Sequence, residues 1–432
     1  MASSIRTLAH YRNVIILTFS NLVVMFGFSM FAPMMSVYML PQAGGSLFII
    51  GLYISMFALP RALLQPFTGR LSDRIGRKKT IVPALFSYSF VALLYSTATS
   101  PIEFISYRAV QGVSSSTLWP ASDALIADTV PTQVRARALG AVSMTYQVGT
   151  LIAPALGGII AYIWGLQEVF YFCALLAIAG AISSLLFLRE PIRGAGKQQA
   201  KDPVLLSDKK GINPSPKAKG NTEAPVQKKT QPEPGSRRRI IAFLVASTFI
   251  IMITFSMIDT LLAILIVKIY GGTYLDIGLV YMLFGLTGAL AAVTGGTLAD
   301  KYGKRKILLI SAVSGSFFWL GMLWTNTLML LAAVIGGFAF IATMAGPATS
   351  ALIADLTPPE RRGSLFGILG MFNDLGMFVG PIAGGLLVDF VNFSLGRGLL
   401  GGMQSLFMMN ALVTVIAVAL VAIGVKEPKT KY

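Results

Sequence analysis

Twelve apolar stretches of about 20 residues or more divide the 432-residue chain, the first with its core at 14–38 and the last at 402–425. Each can cross the ~30 Å hydrocarbon layer of a bilayer as an α-helix rising about 1.5 Å per residue. Lipid offers the backbone no hydrogen-bond partner, so a spanning segment must be a helix or part of a closed barrel. Barrel strands read as segments of about ten residues with alternating polarity, and none are visible here. The sequence therefore predicts an all-α polytopic membrane protein. Its composition agrees, with 55% hydrophobic and 12% charged residues. The first stretch is too long for a secretory signal and lacks a convincing cleavage site after it, so it is expected to be retained.

A formal charge of +17 invites nucleic acid as a partner, but the placement of the charges argues against it. Of the 35 Lys and Arg, 31 fall in the termini and the even-numbered connections; the odd-numbered connections hold Lys268 and Arg397, and Arg61 and Arg108 lie within spans. By the positive-inside rule, both termini and the charged connections are expected in the cytoplasm of a cell whose inner membrane holds the chain. The basic residues also suit contact with anionic membrane lipid.

One cysteine, Cys173, lies in a span, and one histidine, His10, precedes the first. That inventory excludes an intrachain disulfide, a His/Cys metal site and a Ser-His-Asp triad. The chain also lacks a G-x-x-x-x-G-K-[ST] phosphate loop. Neither an enzyme nor a bound metal or cofactor is expected.

Sliding the chain against itself by 227 residues aligns Gly69, Asp73 and Gly76 with Gly296, Asp300 and Gly303, and repeats ALIAD of 124–128 at 351–355. Gly149, Pro154, Gly157 and Gly158 meet Gly376, Pro381, Gly384 and Gly385 at the same offset. Six spans per repeat keep the orientation unchanged, which predicts parallel halves, 1–190 and 240–432. The segment between them, 191–239, is rich in Lys, Pro, Gly, Ser and Gln and reads as a flexible cytoplasmic linker.

Two six-span halves, the linker, and GRLSDRIGRKK after the second span with its echo GTLADKYGKRK after the eighth resemble the major facilitator superfamily of secondary transporters, in particular its twelve-span drug/proton antiporter group. An aspartate one turn after Gly69 can accept from backbone N–H groups at a helix start. The resemblance makes the eleventh span, near Ser364, that neighbour, and implies a latch at Gly69, Asp73, Gly76, Arg77 and Asp128, repeated more weakly at Gly296, Asp300 and Gly303. Simple anchoring of the loop at the headgroups is the alternative. Lys304 stands in the second copy where the first has Arg77, which removes the planar two-pronged geometry.

Arg108 and Gly112 resemble the R-x-x-x-G element of the fourth span in proton-coupled members, where the arginine is implicated in proton movement. An arginine inside lipid faces a polar cavity or a partner, or snorkels to the near surface. Three acids lie within spans and away from any loop: Asp123, Asp259 and Asp374. Counting helical rise places Asp374 about 15 Å and Arg61 about 12 Å from the cytoplasmic ends of their spans, and the two are expected to pair between the halves. Asp259 is the second proton-coupling candidate, and Asp123 is as well placed for the cytoplasmic charge cluster. The second glycine-proline set is complete with Gly380; the first carries Ala153 there. Both resemble the antiporter motif of drug exporters, and close packing between helices is the plainer reading. The first span has no acid, where many such exporters carry one. Asn21, Tyr38, Gln147 and Phe255 are candidates for a permissive cavity, although such residues also pack in any membrane helix.

The resemblance thus implies a monomeric transporter that moves a small lipophilic or amphiphilic solute by rocking of its halves, with export in exchange for protons. Uptake of a metabolite, proton-coupled or passive, and a non-transporting sensor are the alternatives.

Overall fold

The computed structural model describes residues 12–130, 132–190 and 234–425, which form twelve long helices with no strand among the described residues. α1 (Arg12–Phe31) continues through a tight turn at Ala32–Met34 into Met35–Met39; α2 is Leu47–Ile75, α3 Arg77–Thr97, α4 Pro101–Thr129, α5 Thr132–Ile163 and α6 Leu166–Phe187. In the second half α7 is Pro234–Ile264, α8 Tyr274–Tyr302, α9 Lys304–Gly321, α10 Leu328–Leu356, α11 Pro359–Asp389 and α12 Gly398–Gly424. α7 and α11 each close with a five-residue π-turn, Leu265–Ile269 and Phe390–Ser394.

Among the described residues, eleven of these helices are long and apolar enough to cross a membrane. The exception is α4, which carries Arg108, Gln111 and Ser114 to Ser116, all buried in the bundle. Those buried polar groups face protein, and they lower the average hydropathy of the segment.

At one end of the bundle, the far end, the starts of α2, α4, α8 and α10 carry hydroxyl caps. Ser46 and Thr327 accept from the N–H groups of Ile49 and Leu330, and Ser100–Glu103 and Thr273–Asp276 form reciprocal capping boxes. At the opposite, basic end, α2–α3 and α8–α9 are separated by single glycines, Gly76 (φ 112°) and Gly303 (φ 96°), a backbone that a side chain would strain.

The linker expected at 191–239 lies outside the described residues as far as 233, as do His10 and residues 426–432. Its last residues already belong to α7, which opens on Pro234; proline's missing N–H has no partner in a first helical turn anyway.

Packing follows the repeat. In the first half α1 lies on α5 and α6, α2 on α4, and α3 on α4 and α6; in the second, α7 lies on α11 and α12, α8 on α10, and α9 on α10 and α12. Between the halves α2 runs along α11 and α5 along α8. One core cluster spans both halves at the far end, joining Met34, Tyr53 and Phe104 to Leu261, Ile264 and Trp319. Toward the basic end the core divides into one cluster per half, around Leu17 and Leu125 and around Leu244 and Leu352. The halves are therefore joined at the far end and parted at the basic end.

Candidate functional site: the seam between the halves

The α2/α11 seam closes by contacts that descend from the far end. Asp389 accepts from Ser46 Oγ at 2.8 Å and from the N–H groups of Leu47 and Phe48, both at 2.9 Å, so a carboxylate of one half caps a helix of the other. Below it, Gly385 lies on the Leu47 carbonyl and Gly51 on the Pro381 carbonyl, so closely that a methyl group on either would collide with backbone. Ser55 Oγ donates to the Phe378 carbonyl at 2.6 Å. The last rung is Arg61, whose guanidinium grips both oxygens of Asp374, Nε lying 3.0 Å from Oδ2. Asp374 is 3% exposed. Beyond it, Gly69, Gly363 and Gly367 have no neighbour from another helix within 4 Å of a would-be Cβ.

The α5/α8 seam repeats the pattern. Gly158 sits on the Tyr274 carbonyl, Gly278 on that of Pro154 and Gly285 on Leu151, whereas Gly140 at the basic end meets nothing. The glycine pairs divide their work: Gly157 and Gly384 pack within their own half, on Met30 and Met257, while Gly158 and Gly385 face the other half. Gly149, Gly376 and Gly380 pack on Met25, Met252 and Ser256 of their own halves.

Arg108 does not reach for a membrane surface. It is 7% exposed, and its guanidinium carbon lies 4.8 to 5.2 Å from the ring centres of Phe57, Phe28 and Tyr53. Nη1 donates to Gln111 Oε1 at 3.2 Å, Tyr95 donates to the same oxygen at 3.1 Å, and Nε has no partner. Three rings thus replace the water that a guanidinium normally holds. Across the seam Asp259 is half-buried on α7 and lies within electrostatic reach of Arg108; Tyr281 donates to its backbone carbonyl at 2.7 Å.

At the basic end, Arg77 pairs with Asp73 (2.5 Å) and with Asp128 (3.2 Å). Asp73 is exposed and forms no bond to a described side chain of α11, because the basic ends of α2 and α11 lie apart; the contact expected near Ser364 is not made among the described residues. In the second half Lys304 pairs with Asp355, while Asp300 is exposed and bonds to no described residue. Asp123 is likewise exposed and joins neither cluster.

Of the cavity candidates, Gln147 is exposed on α5, and Phe255 stacks at 5.7 Å on Phe284. Tyr38 packs among Phe104 and Phe170 near the far end. Asn21 is fully buried inside the first half with both amide atoms unpartnered. Asp389, Asp355 and Glu190 were not singled out from the sequence. Glu190 accepts from the N–H groups of Arg77 and Lys78 at 2.6 and 2.7 Å and so caps α3. The ALIAD repeat already sets Asp355 opposite Asp128, the signal that marks it; nothing comparable marks the other two.

The chain matches the sequence model of the Major Facilitator Superfamily over residues 17–242 and 244–432. It is 25% identical over 396 residues to "Multidrug resistance protein 2" of Bacillus subtilis (strain 168), covering 89% of this chain and 91% of that one. It is 27% identical over 394 residues to "Multi-drug resistance efflux pump PmrA homolog" of Lactococcus lactis subsp. lactis (strain IL1403), covering 90% and 91%. Among solved structures, a bacterial homolog of the human lysosomal transporter Spinster, inward-facing and unoccupied, superimposes with a TM-score of 0.73 at 17% identity over 96% of this chain and 97% of that one. With this match over nearly its full length, the chain belongs to the Major Facilitator Superfamily and is an integral membrane transporter rather than an enzyme.

Proposed function

We propose that this transporter exports small lipophilic or amphiphilic molecules from the cell in exchange for protons, with its basic end and both termini in the cytoplasm. On that reading the structure is the inward-open form: the outer seam is shut and the mouth between the halves opens toward the cytoplasm. The observation that carries the proposal is the Arg61–Asp374 pair, a buried ion pair between the halves at the inner end of the closed seam.

In the inward-open form Arg61 holds the Asp374 carboxylate. Separating the pair leaves the buried Asp374 carboxylate without its cation, so the seam resists opening until substrate and water can take over those contacts. Once the outer side opens, Asp374 parts from Arg61, and a proton from outside takes the guanidinium's place on the carboxylate. Closure then returns the carboxylate to Arg61, which displaces the proton toward the inside. A proton thus enters for each substrate that leaves. Arg108 and Asp259, within electrostatic reach of one another, bind and orient polar groups of the cargo against the ring cage. Two relatives named as drug-resistance proteins favour a lipophilic cargo.

Reconstituted proteoliposomes carrying a lipophilic fluorescent dye test this. Dye accumulation against its gradient, driven by an imposed pH difference and accompanied by opposite proton movement, is expected. Movement of dye and protons in one direction would instead establish uptake, and flux indifferent to pH would remove the proton.

A further inference from the structure

At the basic end of the second half, α7, the start of α11 and the turn between α10 and α11 enclose a cavity of about 600 Å³. Its floor is apolar, made by Ile241, Val245, Leu365, Ile368 and Phe372, and its rim carries Arg237 and Arg238. Arg238 and Ser364 are exposed, so the cavity opens outward at that end.

The fold does not demand this space. In the first half the same seam is filled: Val14, Val130, Ala138 and Thr145, the repeat mates of Ile241, Thr357, Leu365 and Phe372, are 0–3% exposed. In the second half Ile368 is 42% exposed, and Ile241, Leu365 and Phe372 are only half-buried. The larger apolar side chains of the second half therefore line a slot instead of closing it.

We propose that this slot binds an anionic phospholipid of the cytoplasmic leaflet, with its phosphate at Arg238 and one acyl chain along the floor. The lining runs along each helix, from Arg237 to Ala246 and from Ser364 to Phe372, or about 12–14 Å. That length suits an acyl chain within one ~15 Å leaflet. The exposed rim arginine Arg238, beside the membrane surface, selects negative charge. The chain's own neighbouring segments, 191–233 and 426–432, are net basic and carry the wrong sign for that rim. The proposal takes only the choice of leaflet from the orientation given above, and it is read by binding, so transport results do not decide it.

The test titrates the purified full chain in detergent with phosphatidylglycerol, phosphatidylcholine of the same acyl chains, or inorganic phosphate. Bound lipid is counted by native mass spectrometry, and Tm is followed. Phosphatidylglycerol is expected to be retained and to raise Tm, and the other two are not. Arg238→Gln is expected to weaken retention about fivefold. Ile368→Trp, which fills the floor, should abolish it, and Lys79→Gln in the other half should leave it unchanged. Equal retention of phosphatidylcholine, a full Tm effect from phosphate alone, or wild-type retention in both slot variants would overturn the proposal.

Discussion

Arg61 and Arg108 are the two arginines inside spans, and their neighbours assign them different tasks. Arg61 meets a carboxylate of the other half and can be released; Arg108 is held within its own half by three rings and an amide. Asp374→Asn is expected to lower pH-driven transport at least tenfold and flatten its pH profile, measured as dye flux in proteoliposomes. In a double-mutant cycle on Tm, Arg61→Gln with Asp374→Asn should cost less than the sum of the single changes, because the double variant leaves no stranded charge. Arg108→Lys keeps the charge but loses the planar face that stacks on Phe28 and Phe57. Transport is expected to fall about tenfold, and wild-type flux in this variant would reduce the cage to packing. The level of Arg61 and Asp374 was readable from helical rise counted out of the charged turn. The cage around Arg108 was not, since Phe28, Tyr53 and Phe57 lie on separate helical positions whose spacing is equally that of lipid-facing residues.

At the scale of helices, the seams are glycine tracks that are used over half their length. Gly385 and Gly51 touch backbone across the halves, whereas Gly367 and Gly140 touch nothing. Gly385→Ala should therefore disfavour the inward-open form, by about 1–3 kcal/mol of overpacking, while Gly367→Ala should leave it unaltered; accessibility of an engineered far-end cysteine to a water-soluble thiol reagent reads the shift. Asp389→Ala removes three hydrogen bonds and a charge from the start of α2 and is expected to move the balance the same way, with Asp389→Asn intermediate. The repeat and its glycines were legible because offset 227 lines them up. Asp389 was not, because a carboxylate at the end of a span looks like a solvated loop residue until the tilt of the halves brings it over Ser46. Glu190 is hidden for the same reason: it acts on a helix more than a hundred residues away.

Across the whole molecule, a single core at the far end and two cores at the basic end describe a hinge, with the Arg61–Asp374 rung where the joined region stops. Twelve spans and two halves were legible from apolar length and self-similarity; the conformational state was not, because the same sequence must satisfy both ends of the cycle in turn. Asp73 illustrates this, exposed here and within its own half's charge cluster, yet placed so that closing the basic end would bring it toward α11. The central claim is that the two ends of the seam open in opposition. It is tested most directly by pairs of spin labels in a Cys173→Ser background, Gln42 with Ser394 at the far end and Arg70 with Ser364 at the basic end, with distances measured by double electron–electron resonance. Without substrate, a short far-end and a long basic-end distance are expected, and conditions that drive turnover should lengthen the first while shortening the second. Distances that change in the same direction, or a far end that never opens while transport proceeds, would contradict the account.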